Sequence, residues 1–219
     1  SEIILCGGAI NSPQILMLSG IGSEKVLKKI NISCAHDLPG VGQNLQDHLT
    51  VNISYNVKGL DTFGELMKPM KMIRNLYQYF IKRDGLLTYP ASDIGVFFKT
   101  NQIVDTPNAQ IHFAPGAGKY NKDGAMKPIS GITASVCNLR PLSKGHIELN
   151  SCDPYESPKI FANYLSEKAD ITTMVEAIKK VREIFQSSGI QAFNPQEMIP
   201  SLNHQDDEAI EELIRQECL

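Results

Sequence analysis

Two stretches of the sequence hold residue types at spacings suited to binding chemistry. The first is Gly8-Ala-Ile-Asn-Ser-Pro-Gln-Ile-Leu-Met-Leu-Ser-Gly-Ile-Gly22, directly after the apolar run Ile3-Ile4-Leu5. A helix beginning at Ser12-Pro13 presents backbone N–H groups with no intrahelical partner, which favour an anion. Gly8 and Ala9 carry so little side chain that a planar or phosphorylated ligand can approach the main chain. An ordinary strand-to-helix turn accounts for the same residues. The second stretch, Pro39-Gly-Val-Gly-Gln-Asn-Leu-Gln-Asp-His48, sets the amides of Asn44 and Gln46 beside the carboxylate of Asp47 and the imidazole of His48. Such groups either line a polar ligand or clamp a loop by bonding its own backbone, and chemistry alone favours the clamp.

Local catalytic motifs are absent. The sequence has no G-x-x-x-x-G-K-[ST] phosphate loop, no H-E-x-x-H zinc helix and no G-x-S-x-G nucleophile elbow. The Gly-x-Gly pairs at Gly20, Gly40 and Gly116 lack the third glycine of a dinucleotide turn, so each reads as a simple turn. His36, His48, His112, His146 and His204 are dispersed and read as surface or satisfied core residues. Cys6, Cys34, Cys137, Cys152 and Cys218 are odd in number and form no C-x-x-C pair, which predicts buried free thiols and no metal site. Asn-Ile-Ser sequons at Asn31 and Asn52 are short enough to arise by chance.

The elements that must position these groups follow from hydrophobic spacing. Glu2–Cys6 reads as a short strand buried on both faces, followed by a helix from about Ser12 that Gly20 stops. Ser23 reads as the N-cap of a second helix through Val26, Leu27 and Ile30. Residues 37–48 show no period and read as an ordered loop. From Leu49 to Lys58 apolar and polar residues alternate, the mark of a strand with one wet face. Phe63 to Ile81 has helical spacing interrupted by Pro69. Residues 93–100, 109–115, 131–140 and 146–150 read as strands that join 49–57 in one antiparallel sheet. Ile171 to Phe185 is an amphipathic helix, and Asp206 or Asp207 caps a last helix through Ile214.

Composition is that of a soluble globular protein: of 219 residues, 42% are hydrophobic and 21% charged. A net charge of -3 with scattered basic residues argues against a nucleic-acid groove or a strongly anionic membrane surface. No apolar run approaches the ~20 residues of a membrane span.

Taken together, the two stretches resemble the glucose-methanol-choline (GMC) oxidoreductases, flavoenzymes that oxidise alcohols. Gly8-Ala9-x-x-Ser12-Pro13-x-Ile15-Leu16-x-x-Ser19-Gly20-Ile21-Gly22 resembles a family signature at every fixed position, and residues 39–48 resemble the stretch that follows it. Asn138-Leu-Arg-Pro-Leu-Ser-Lys-Gly145, Asp153-Pro154 and Asn163-Tyr-Leu165 resemble the family's substrate domain, closest to the choline dehydrogenase and alcohol dehydrogenase branch. The resemblance implies an α/β plus α+β architecture: part of a Rossmann-like FAD-binding domain over 1–48, and a substrate-binding domain with an antiparallel sheet over 49–165. A helical remainder over 166–219 leads back to the FAD domain.

The implied reaction oxidises the CH–OH group of a small-molecule alcohol by hydride transfer to FAD. Gly8, Ala9, Asn11, Ser12 and Pro13 are implied to pack near the flavin nucleotide, with Asn44, Asp47 and His48 ordering the crossing beside it. The family's G-x-G-x-x-G turn and its catalytic histidine have no counterpart in this sequence. The expectation is therefore an internal fragment, inactive alone, with no catalytic residue of its own. A noncatalytic binding protein derived from the family and a lyase that retains FAD stay open as alternatives at this point.

Overall fold

The computed structural model describes residues 2–90, 92, 94–120, 126–200 and 206–218. In chain order, helix α1 (Gly8–Leu18), strand β1 (Ile21–Gly22), helix α2 (Glu24–Lys29) and strand β2 (His36–Asp37) lead to strands β3 (Gln43–Leu45) and β4 (Thr50–Asn56). Helices α3 (Phe63–Leu66) and α4 (Pro69–Tyr77) follow, with a π-helical turn over Gln78–Lys82 and a 3₁₀ turn at Leu86–Thr88. Next come strands β5 (Ile94–Phe98), β6 (Ala109–Ala114), β7 (Ala117–Tyr120), β8 (Met126–Ile129), β9 (Ile132–Asn138), β10 (Gly145–Glu148) and β11 (Lys159–Phe161). Helices α5 (Lys168–Phe185) and α6 (Ser188–Gln191), strand β12 (Gln196–Ile199) and helix α7 (Asp207–Cys218) complete the order.

These elements form two units, Ser1–Asp47 with Pro141–Lys168, and His48–Arg140 with Ala169–Leu219. The first is built on the antiparallel sheet β11-β10-β3 and the parallel pair β1–β2. Its buried centre is Met17, Leu27, Ile147 and Leu149, flanked by Ile10, Leu18, Val41 and Leu45. Gly20 turns the chain out of α1 at φ +81°, where a Cβ would lie 2.6 Å from the Ser33 carbonyl oxygen. Only glycine fits that position.

Several expectations change here. Glu2–Cys6 is not a buried strand: Ile3 and Ile4 are 87% and 77% exposed, because no described strand lies alongside to complete a ladder. Helix α1 begins at Gly8, four residues before Ser12, so Pro13 sits inside it. The Ser12 hydroxyl accepts the Gly7 N–H at 3.0 Å, bonding a donor ahead of the helix. Ser23 is the N-cap residue of α2, yet its side chain makes no capping bond; Asp37 Oδ1 accepts the Glu24 N–H at 2.9 Å instead. The loop over 37–48 contains β3, which pairs with Gly145 and His146 of β10. For that reason residues 141–165, read as one region with 49–140, group with the first unit. Only Cys137 is a buried thiol; Cys6 and Cys152 are exposed.

The second unit carries the sheet β12-β4-β9-β6-β5, antiparallel throughout. Four of the expected strands are in it; the fifth is β10 of the first unit, and β12 takes a place at the edge. The alternation seen in sequence buries Val51, Ile53 and Tyr55 on one face with Val136, Ala134 and Ile111. Helix α5 turns Ile171, Met174, Ile178, Val181 and Phe185 inward, and the Phe185 ring stacks on Tyr55 at 3.7 Å. Arg182 of α5 reaches Glu197 of β12 through Nη2 at 2.8 Å and Nε at 3.1 Å. Tyr55 donates its hydroxyl to the same carboxylate at 2.9 Å. Helix α7 buries Ile210, Leu213 and Ile214, and Asp206 Oδ1 accepts the Ala209 N–H at its start.

Candidate functional site

In the first unit, the N-terminal turn of α1 and the chain around β3 enclose a cleft of about 370 Å³. Ala9, Pro13, Gly42, Gln43, Asn44, Leu45, Gln46 and Ile147 line it. Each element is positioned by a local necessity. Helix α1 is fixed through Met17 in the core and through Gln14, whose side chain is buried and donates to the Glu156 carbonyl at 3.1 Å. The approach to β3 is fixed by Gly42 at φ +80°, where a Cβ would lie 2.5 Å from the Ile147 carbonyl oxygen. The Ile147 N–H in turn donates to the Gly42 carbonyl at 2.7 Å, locking the two segments together. Asn44 also adopts a left-handed conformation, φ 59°, which asparagine tolerates better than most side chains.

The chemistry facing the cleft is uncharged and rich in donors. The N–H groups of Gly8, Ala9 and Ile10 precede the first intrahelical bond of α1, and the helix has no side-chain cap at its N-cap residue. Gly8, at φ +74°, has nothing within 4 Å of the place a Cβ would occupy, so the main chain stands open there. Amides of Gln43, Asn44 and Gln46 complete the lining. A helix N-terminus with neighbouring amides holds anionic or polar groups without needing a counter-charge. These residues fit one portion of a dinucleotide.

The structure brings Ala9, Pro13 and Asn44 together in the cleft. Gly8, Asn11 and Ser12 share the same helix end without lining it. Asp47 lies at the end of the first unit, where Tyr164 donates its hydroxyl to Oδ2 at 3.0 Å. His48 belongs to the second unit, and its Nε2 donates to the Leu139 carbonyl at 3.1 Å. Gln46 Nε2 donates to the Pro141 carbonyl at 2.5 Å while also lining the cleft. At 46–48 the side chains thus tie the stretch to Pro141, Tyr164 and Leu139, distant in sequence, and not to its own backbone as a loop clamp would, while 43–46 line the cleft.

Sequence reasoning missed Gly42, Gln43 and Ile147. The Gly-x-Gly spacing at Gly40 and Gly42 marked a turn; the contact with Ile147, over a hundred residues away, left no local sign. His204 lies outside the described residues. Among the described residues no group of three or more His, Cys, Asp or Glu side chains forms a metal site. No described helix is long and apolar enough to cross a membrane.

Residues 1–50 and 141–219 match the N-terminal and C-terminal family models of the GMC oxidoreductases. An alcohol dehydrogenase [acceptor] of Pseudomonas putida is 39% identical over 203 residues, 91% of this chain and 36% of its own length. An oxygen-dependent choline dehydrogenase of Staphylococcus xylosus is 37% identical over 217 residues, 99% of this chain and 38% of its own. The chain thus spans under two fifths of the length of these relatives. Among solved structures, a formate oxidase of Aspergillus oryzae studied for its FAD modification superposes with TM-score 0.87 at 23% identity. It covers all of this chain and 43% of its own. An FAD-dependent oxidoreductase of Chaetomium thermophilum gives TM-score 0.82 at 21% identity.

Proposed function

We propose, because the chain belongs to the GMC oxidoreductase family, that it forms part of an FAD-dependent oxidoreductase acting on the CH–OH group of an alcohol. The observation that carries this reading is the cleft: the family's signature helix and the stretch around Asn44, separate in sequence, line one donor-rich cavity. When bound, FAD supplies a ring that accepts hydride from the carbinol carbon while the hydroxyl proton goes to a base. No residue of this chain is assigned that base.

The chain's own residues hold and shape. The first turn of α1 offers backbone N–H groups to a phosphorylated portion of the cofactor, and Gly8 and Ala9 leave the main chain approachable. Asn11, Ser12 and Pro13 follow within that helix, where Ser12 fixes the residue before it by accepting the Gly7 N–H. Asn44 contributes an amide, and the bonds of Asp47 to Tyr164 and of His48 to Leu139 order the crossing. Residues 1–48 act as part of the FAD-binding domain. The outer face of the five-stranded sheet, where Asn52, Ser135 and His112 align across three strands, serves as a wall of the substrate site. The substrate is a small alcohol.

The test uses the protein expressed from its natural coding sequence. It should retain flavin through desalting, and its absorbance should bleach when a primary alcohol is added without oxygen. Retained flavin that no alcohol bleaches would mean non-redox chemistry of the lyase kind; no flavin at all would mean a noncatalytic binding protein. Ala9→Val and Asn44→Gly should lower flavin occupancy while leaving the unfolding midpoint of the flavin-free protein in place.

A further inference from the structure

The segment from Met67 to Arg83 is built with its amphipathic face reversed. In a surface helix the apolar stripe normally packs on the core and the polar side meets water. Here Asn75 is buried at 4% exposure, with its Nδ2 donating to the Leu66 carbonyl, and Met72, Gln78 and Tyr79 are half-buried. Met70, Ile73, Tyr77, Phe80 and Ile81 point outward at 82%, 67%, 55%, 62% and 67% exposure. Met70, Ile73 and Tyr77 follow helical spacing, so the outward residues form one face rather than scattered single exposures.

Charge narrows what covers that face. Residues 68–83 hold five of the chain's 21 basic residues, Lys68, Lys71, Arg74, Lys82 and Arg83, and no acidic one. Lys68 and Lys71 pair with Glu65 and Asp61 at 2.7 Å. Arg74, Lys82 and Arg83 are exposed and form no ion pair among the described residues. A helix with Met, Ile, Phe and Tyr on one side and Lys and Arg at its flanks matches an interface between headgroups and acyl chains. The net charge of -3 argued against an anionic membrane surface for the chain as a whole; the local charge has the opposite sign.

We propose that residues 67–83 dock on an anionic lipid surface, with Met70, Ile73, Phe80 and Ile81 entering the headgroup boundary and Arg74, Lys82 and Arg83 meeting lipid phosphates. The segment lies on the surface without spanning the bilayer.

Co-sedimentation of the protein, expressed from its natural coding sequence, with vesicles tests this. Mixed phosphatidylcholine–phosphatidylglycerol vesicles should bind it, pure phosphatidylcholine vesicles much less, and added salt should weaken the difference. Arg74→Gln, Lys82→Gln and Arg83→Gln together should lower partitioning about a hundredfold, about fivefold for each charge. Met70→Ser, Ile73→Ser and Phe80→Ser together should lower it at least about tenfold. All six positions are exposed, so circular dichroism and the unfolding midpoint should not change. Three results overturn the proposal: no binding to anionic vesicles, binding that both variant sets leave intact, or a self-association in sedimentation velocity that the serine variants abolish. The last would assign the face to a second copy of the chain.

Discussion

At the scale of single residues, the structure moves work from the side chain that sequence would choose to one that only folding brings near. Ser23 stands at the N-cap of α2, yet Asp37 makes the capping bond because β1 and β2 pair in parallel and carry it there. Asp37→Ala should therefore destabilise the first unit by about 1 kcal/mol, and Ser23→Ala by only a few tenths. Urea unfolding of the two variants measures the difference. Equal losses would show that Ser23 shares the cap.

At the scale of elements, the second unit is tied together by one carboxylate. Glu197 on β12 receives Arg182 from α5 and Tyr55 from β4, and its side chain is only 6% exposed against 16% for Arg182. Removing one partner of a buried pair leaves a charge without compensation, so Arg182→Met should lower stability by about 3 kcal/mol. Arg182→Met with Glu197→Leu should recover part of that loss, read as the interaction term of a double-mutant cycle. The same packing gives a pH dependence. Burial pushes up the Tyr55 hydroxyl, with the Glu197 charge adding to it, and burial likewise raises the Cys137 thiol. Burial on α7 pushes the Cys218 thiol up to about 11. Each group holds its proton more tightly folded than unfolded, so stability is lost as pH rises: for Cys218 from the ordinary thiol value of 9.0 towards about 11, and for Tyr55 from its ordinary value of 10.0 upward. The urea midpoint should fall across that window and stay level just below it. A flat midpoint up to pH 11 would count against this reading.

At the scale of the whole molecule, the two units hold different parts of the proposed chemistry. The cleft proposed for the cofactor lies within the first and the sheet face proposed as a substrate wall within the second, and the chain passes between them at 47–48, 140–141 and 168–169. The sequence contains no G-x-G-x-x-G turn. Residues 1–219 expressed alone are expected to lose FAD on desalting and to oxidise no alcohol; stoichiometric retention would mean that the cleft around Asn44 suffices for binding.

What the sequence determined by itself is periodic or local. The alternation of residues 49–58, the apolar stripe of 171–185 and the Asp206 cap each arise from neighbours within a few residues, so α5, α7 and β4 were legible with small errors at their ends. The signature over 8–22 likewise named the helix of the candidate site. Contacts between distant residues were decided only by the tertiary structure. Ile147 closes the cleft against Gly42, β10 leaves the large sheet for β3, and β12 joins that sheet from a stretch with too few residues to show a period. The spacing of 63–81 foretold helix, but which side of it meets the protein depends on what else is folded beside it. Periodicity records that a face exists, and only packing assigns the face a partner.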